Sequence, residues 1–211
     1  MKPTSGAGNS TGANPSPGGV GSPAIATPPV PKSRYFVFAA IALIGCAADL
    51  ITKHWIFGRL GEPGGETLWL VEGIFGFQTS INHGALFGIG QGHVWVFAAL
   101  AIVALFGILY WLFFAGAAHD RMLTIALASV MGGVLGNLHD RLGLYPAPWM
   151  VGGRDYGVRD WILFCYRDWV WPNFNIADSM LVCGAVLLIW HAFRQQPERV
   201  AQPASTPGSA A

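Results

Sequence analysis

Charge is what this chain has least of. Lys, Arg, Asp and Glu make up 11% of its 211 residues, where soluble globular domains carry about 25%. With 53% of the residues apolar, too little polar surface remains to cover a globule of this size, which excludes an ordinary cytosolic enzyme. Cysteine is also scarce. Cys46, Cys165 and Cys183 form no CxxC pair and are odd in number, which argues against a disulfide framework and a structural zinc site. No basic block is present, and twelve cationic residues against eleven acidic ones leave a net charge of +1, so nucleic acid is not an expected partner. The chain lacks HExxH and Gly-x-Ser-x-Gly, and its six histidines (His54, His83, His93, His119, His139 and His191) are scattered. That disfavours zinc and serine hydrolases. His139, beside Asp140, is the residual metal candidate, and no metal or cofactor is expected.

What the chain does have is long apolar runs. Val94–Ala118 continues for 25 residues without a charge, more than the roughly 20 a helix needs to cross a bilayer. Met122–Leu138 is uncharged over 17 residues and includes Gly132, Gly133 and Gly136, which permit close helix contact. Tyr35–Phe57 and Phe174–Phe193 complete four spans if they tolerate Asp49 and Lys53 in one, and Asn175 and Asp178 in the other. The expected fold is an all-α membrane protein of four transmembrane helices with a small extracytoplasmic β-containing loop region, drawn from Leu68–Phe87. Residues 1–31 and 195–211, rich in Gly, Pro, Ser and Ala, read as disordered tails flanking a 32–194 membrane domain. Lys32, Arg34, Arg121, Arg194 and Arg199 place both termini in the cytoplasm. Arg59, Arg141, Arg154, Arg159 and Arg167 in the long loops weaken that rule. The nine tryptophans gather near helix ends and in outer loops, as an interfacial belt does.

Charged groups in a bilayer are costly, so they are normally paired or functional. Asp49 and Lys53 stand four residues apart and share a helix face, so a buried ion pair is the plain reading. Asp178 opens an apolar helix three residues after Asn175, where a carboxylate would cap it. Yet Asn137, Asp140 and Arg141 end the preceding span on the same membrane side, and Asp160 lies in the loop between. Two adjacent carboxyls cannot both ionise cheaply. One keeps its proton while the other stays charged, and such a pair can hydrolyse a peptide bond, the carboxylate activating water and the acid polarising the carbonyl. On these grounds Asp140 ranks as high as Asp160.

The ordered set Asp49-x-x-x-Lys53, Asn82-x-Gly84-Ala85-x-Phe87, Gly132-Gly133-x-x-Gly136-Asn137-x-x-Asp140-Arg141, Val158-x-Asp160-Trp161 and Phe174-Asn175-Ile176-Ala177-Asp178-Ser179 resembles the lipoprotein signal peptidase family, signal peptidase II, over about residues 35–193. The resemblance implies a bacterial inner-membrane aspartic endopeptidase that removes signal peptides from diacylglyceryl-modified prolipoproteins, cutting just before the lipidated cysteine. It maps the catalytic dyad onto Asp160 and Asp178, and it assigns Asp49, Lys53, Asn82, Gly84, Asn137, Asp140, Arg141 and Asn175 to supporting or substrate-binding positions. Its partners would be prolipoproteins and membrane lipid, with the enzyme a monomer and its site toward the extracytoplasmic face.

Trp161 stands where the family usually has Phe, and Leu142–Arg159 is longer than is usual between these motifs. Asp155 and Asp168 therefore rival Asp160, which alone sits in a Val-x-Asp-aromatic setting. Two other classes of function compete: a small transporter or channel using the intramembrane charges, and a non-enzymatic membrane adaptor. Leu43-Ile44-Gly45-Cys46 resembles a lipobox, and reads as a chance match within a membrane helix.

Overall fold

The computed structural model describes residues 28–84 and 89–194. Residues 1–27 of the expected 1–31 tail, the whole 195–211 tail, and the Ala85 and Phe87 positions of the second motif lie outside the described residues. Among the described residues, four helices are long and apolar enough to cross a membrane: α1 (Lys32–Leu60), α2 (Val94–Leu109, continued by a π turn over Tyr110–Phe114), α3 (Arg121–Arg141) and α4 (Ile176–Arg194). Each boundary has a local cause. α1 starts behind Pro31, which donates no backbone hydrogen bond, and stops at Gly61, whose φ of +75° lets its N–H return to the Phe57 carbonyl at 3.0 Å. At the head of α3, the Asp120 carboxylate accepts from the Leu123 amide at 2.9 Å.

α3 is the central helix and packs on α4 and α1. Its small residues make that possible. A Cβ at Gly136 would collide with the Asp49 carboxylate, and one at Gly133 with the Ala177 carbonyl oxygen. Phe38, Ala42, Leu112, Leu127 and Met131 form the core where α1, α2 and α3 meet. Phe36, Leu43, Ile44, Val103, Phe106, Val186 and Ile189 lie exposed around the outside. Such an apolar surface is the expected face toward lipid.

All-α is too narrow a description. Four antiparallel strands, β1 (Leu68–Val71), β2 (Phe75–Asn82), β3 (Val158–Tyr166) and β4 (Trp169–Phe174), form one sheet in the order β1-β2-β3-β4. The first two fall inside the expected β region. The second pair comes from the segment read only as a loop. Ser80 pairs with Asp160 and Asn82 with Val158, so the sheet brings the second and fourth motifs side by side. Alternation along β3 sends neighbouring side chains to opposite faces: Trp161 packs with Ile56 and Phe57 of α1, while Asp160 faces the other way.

Candidate active site

The polar residues that the sequence scatters over five motifs converge where α1, α3, the sheet and the start of α4 meet. Asn175 is the N-cap of α4 and forms a reciprocal capping pair with Asp178. Its backbone N–H donates to Asp178 Oδ2 at 3.2 Å, and the Asp178 N–H donates to Asn175 Oδ1 at 2.9 Å. The capping role foreseen for Asp178 is therefore real, but it does not exhaust the residue. Asn137 Nδ2 donates to its other oxygen at 2.8 Å, and Asp178 still lines a cavity of about 1070 Å³.

Asp160 lines the same cavity from β3. Asn175 Nδ2, fully buried, donates to Asp160 Oδ1 at 2.6 Å, so Asn175 engages both carboxyls, Asp160 through its side chain and Asp178 through its backbone N–H. The Asn82 side chain is a second hydrogen-bond partner of Asp160. Burial, and after it the Asp178 carboxylate, pushes the Asp160 carboxyl well above the usual carboxylate range, against the opposing pull of Lys53 and the two amides. A protonated acid beside a charged one is the arrangement the chemistry of a dyad needs.

Beneath the pair lies a buried ion network. Lys53, with no exposed side-chain surface, reaches Asp49 at 2.7 Å, Asp140 at 3.1 Å and the Asn137 Oδ1 atom at 3.0 Å. Asn137 Oδ1 also accepts from Asn175 Nδ2 at 3.2 Å, so the Asn137 amide can turn only its N–H side toward Asp178. Asp49 Oδ1 accepts from the Ala177 amide at 2.9 Å and so caps α4 from another helix. Arg141 lines the cavity, donates to the Gly84 carbonyl at 3.1 Å and lies over the Phe97 ring at 5.7 Å. The Gly84 amide in turn donates to Asn82 Oδ1 at 2.9 Å. All ten residues selected from the sequence thus belong to one connected constellation.

Asp155 and Asp168 do not join it. Asp155 is held by His83 Nε2 at 2.7 Å and by the Gly157 amide at 2.9 Å, and Asp168 is exposed in the β3–β4 turn. Neither lines the cavity. His139 contacts Asp140 at 3.3 Å, a carboxylate already engaged by Lys53 and Arg159. Cys46, the lipobox match, sits mid-way along the unbroken α1.

Sequence reasoning missed Arg159, which counted only as a loop charge. It is 4% exposed, donates from Nη2 and Nε to Asp140 at 2.7 and 3.2 Å, and stacks 4.2 Å from the Tyr145 ring centroid. Its position beside Asp160 in a strand was the available signal, but the partner lies on another element. Arg141 and Arg159 are therefore engaged in the site, which accounts for part of the excess positive charge in the long loops.

The remaining cavity wall is apolar and aromatic. Phe164, Trp169, Trp171, Phe174, Leu181 and Val182 contribute to it, with Cys165, Cys183 and Ser179 as minor polar members. This is space for a hydrophobic segment with a polar bond presented at one end.

The profile of a family described as signal peptidase (SPase) II matches residues 41–194. A lipoprotein signal peptidase of Rhodopirellula baltica is 47% identical over 165 residues, covering 77% of this chain and 74% of that protein. One of Symbiobacterium thermophilum is 35% identical over 151 residues, covering 72% and 90%. Two solved structures, each described as a bacterial membrane enzyme, share the fold. The first has a TM-score of 0.64 at 24% identity over 81% of this chain and 95% of its own, and the second 0.62 at 25% over 76% and 95%.

Proposed function

The chain belongs to the signal peptidase II family, a bacterial membrane peptidase that removes signal peptides from prolipoproteins, and from that premise we propose that it is an aspartic endopeptidase whose dyad is Asp160 and Asp178. The observation that carries the reading is buried Asn175, which holds both carboxyls at the wall of the apolar cavity, donating to Asp160 from its side-chain amide and to Asp178 from its backbone N–H. The Asp160 acid donates to the scissile carbonyl oxygen. The Asp178 carboxylate takes a proton from water, which attacks the carbonyl carbon; as the tetrahedral intermediate collapses, Asp178 gives that proton to the departing amine of the lipidated cysteine and a hydroxyl of the intermediate returns one to Asp160. No covalent enzyme intermediate forms. Lys53, Asp49 and Asp140 hold the Asn137 amide toward Asp178, and Asn82, Gly84 and Arg141 tie the end of β2 to α3.

The substrate arrives at membrane depth. A signal peptide is a hydrophobic helix and the diacylglyceryl chains partition into lipid, so the aromatic wall receives apolar surface while few polar groups set register. The site faces the extracytoplasmic side, with both termini in the cytoplasm and residues 32–194 as the catalytic domain of a monomer.

Cleavage of a synthetic diacylglyceryl prolipoprotein peptide in the presence of hydroxylamine tests the catalytic type. Direct attack by water gives a free carboxylate product and no hydroxamate, with the new N-terminus at the lipidated cysteine. A hydroxamate product would reveal an acyl-enzyme and hand the chemistry to a nucleophile such as Cys165, Cys183 or Ser179. Ser179 is poorly placed for that role, since its hydroxyl donates to the Asn175 carbonyl at 3.1 Å.

A further inference from the structure

A second cavity, of about 400 Å³, opens on the other face of the sheet from Asp160, between the last turns of α1 and the 142–157 segment. Phe57 and Trp149, with ring centroids 5.8 Å apart, form its apolar wall, and the exposed His54 and Gly58 stand at its rim. Two hydrogen-bond donors in that wall are left over. Trp149 Nε1 is buried without a partner among the described residues. Arg159 spends Nε and Nη2 on Asp140, and Nη1 has no partner among the described residues. A buried donor without an acceptor costs about 1–3 kcal/mol, so a ligand that offers an acceptor to Trp149 Nε1 gains by entering, and a second acceptor can reach the Arg159 guanidinium that lines the same cavity.

Charge and depth select the ligand. The buried network of Asp49, Lys53, Asp140 and Arg159 sums to zero, so an anion entering the cavity meets no net negative field. Trp55 and Arg59 lie exposed on the same helical end, as at the boundary between acyl chains and headgroups. Glycerol ester carbonyls and phosphates of phospholipids lie at that depth. We propose that this cavity binds one glycerophospholipid, its phosphodiester oxygens accepting from Arg159 Nη1, an ester carbonyl from Trp149 Nε1, and an acyl chain lying along Phe57. Through Arg159 the lipid bears on Asp140, and from there on Lys53 and Asn137.

Gly58 allows a clean perturbation. A Cβ there meets nothing within 4 Å, so Gly58→Leu adds bulk to the lining of this cavity with no backbone clash at Cβ, at a position that does not line the cavity holding Asp160 and Asp178. Trp149→Phe keeps the apolar wall and removes the N–H. The delipidated full chain in detergent is titrated with dioleoyl phosphatidylglycerol, with dioleoylglycerol and inorganic phosphate as separate arms, and read by native mass spectrometry and thermal unfolding. The wild type is expected to retain one phospholipid and gain unfolding temperature. Both variants should bind it about tenfold more weakly, and neither control should match it. Equal retention by wild type and Gly58→Leu would overturn the site. Stabilisation by dioleoylglycerol as strong as by the phospholipid would overturn recognition of the phosphate, and the same effect from inorganic phosphate alone would make it a free-anion site. None of these readouts depends on peptidase activity.

Discussion

Lys53 is the residue whose loss should do most damage without touching the dyad. Its ammonium is fully buried and shared by Asp49 at 2.7 Å, Asp140 at 3.1 Å and Asn137 Oδ1 at 3.0 Å. In Lys53→Met the volume stays similar, but two buried carboxylates lose a common counter-charge. Asp140 keeps Arg159; Asp49 keeps only the Ala177 amide. Removing one partner of a buried ion pair costs about 3–5 kcal/mol, which for a chain of this size lowers the unfolding temperature by roughly 10 °C. Activity should fall as well, because Asn137 loses one of the two donors that fix its amide. Pairing Lys53→Met with Asp49→Asn removes the stranded charge while leaving an oxygen for Ala177. The double variant should therefore recover about 1–3 kcal/mol of the loss. The assay is thermal unfolding of the purified variants in detergent, with peptide cleavage measured below the transition. If Lys53→Met unfolds within a degree of wild type, or the double variant is no better than the single, the network does not hold the site as described.

Further outcomes follow from the same geometry. Because the folded Asp160 carboxyl is raised by burial and by Asp178, activity that needs its proton is present below that raised value and lost as pH climbs through it. The Asn82 hydrogen bond pulls the same group downward, so Asn82→Ala should move the alkaline limb of the kcat/KM profile to higher pH; movement to lower pH would contradict the assignment. Gly133→Ala places a Cβ against the Ala177 carbonyl oxygen and within 2.7 Å of Leu181 Cγ, and should cost about 1–3 kcal/mol of stability by overpacking, read as a lower unfolding temperature. Trp161→Phe should be nearly silent in both cleavage and melting: the indole N–H has no partner among the described residues, and the ring still packs on Phe77.

How far the sequence foretold this arrangement depended on whether a signal was local. Two spans, Val94–Ala118 and Met122–Leu138, were legible because an uncharged apolar run of helical length has few other uses, and the other two because their apolar length outweighs the few polar residues they carry. The capping pair of Asn175 and Asp178 was legible because both partners lie within one turn. β3 was not. Its residues Val158–Trp161 are buried on both faces, so the alternation that marks a half-exposed strand is missing. β4 carries Pro172, which demotes a strand on sequence grounds and is tolerated at a sheet edge, the place β4 occupies. Asp140 and Asp160 could not be ranked from residues alone. In the fold, Asp140 is consumed by Lys53 and Arg159, whereas Asp160 meets only amides, and that distinction needs the sheet to bring Arg159 to Asp140.

The central claim is that Asp160 and Asp178, and no other acidic residue, perform the cleavage. Cleavage of a diacylglyceryl prolipoprotein peptide by wild type, Asp160→Asn, Asp178→Asn, Asp155→Asn and Asp168→Asn, each first shown to be folded by its melting curve, tests it most directly. Loss of turnover by at least about 10²-fold in the first two variants, with Asp155→Asn and Asp168→Asn retaining the reaction, is the predicted result. An Asp160→Asn variant that is folded and still cuts, with Asp155→Asn or Asp168→Asn inactive, would contradict it.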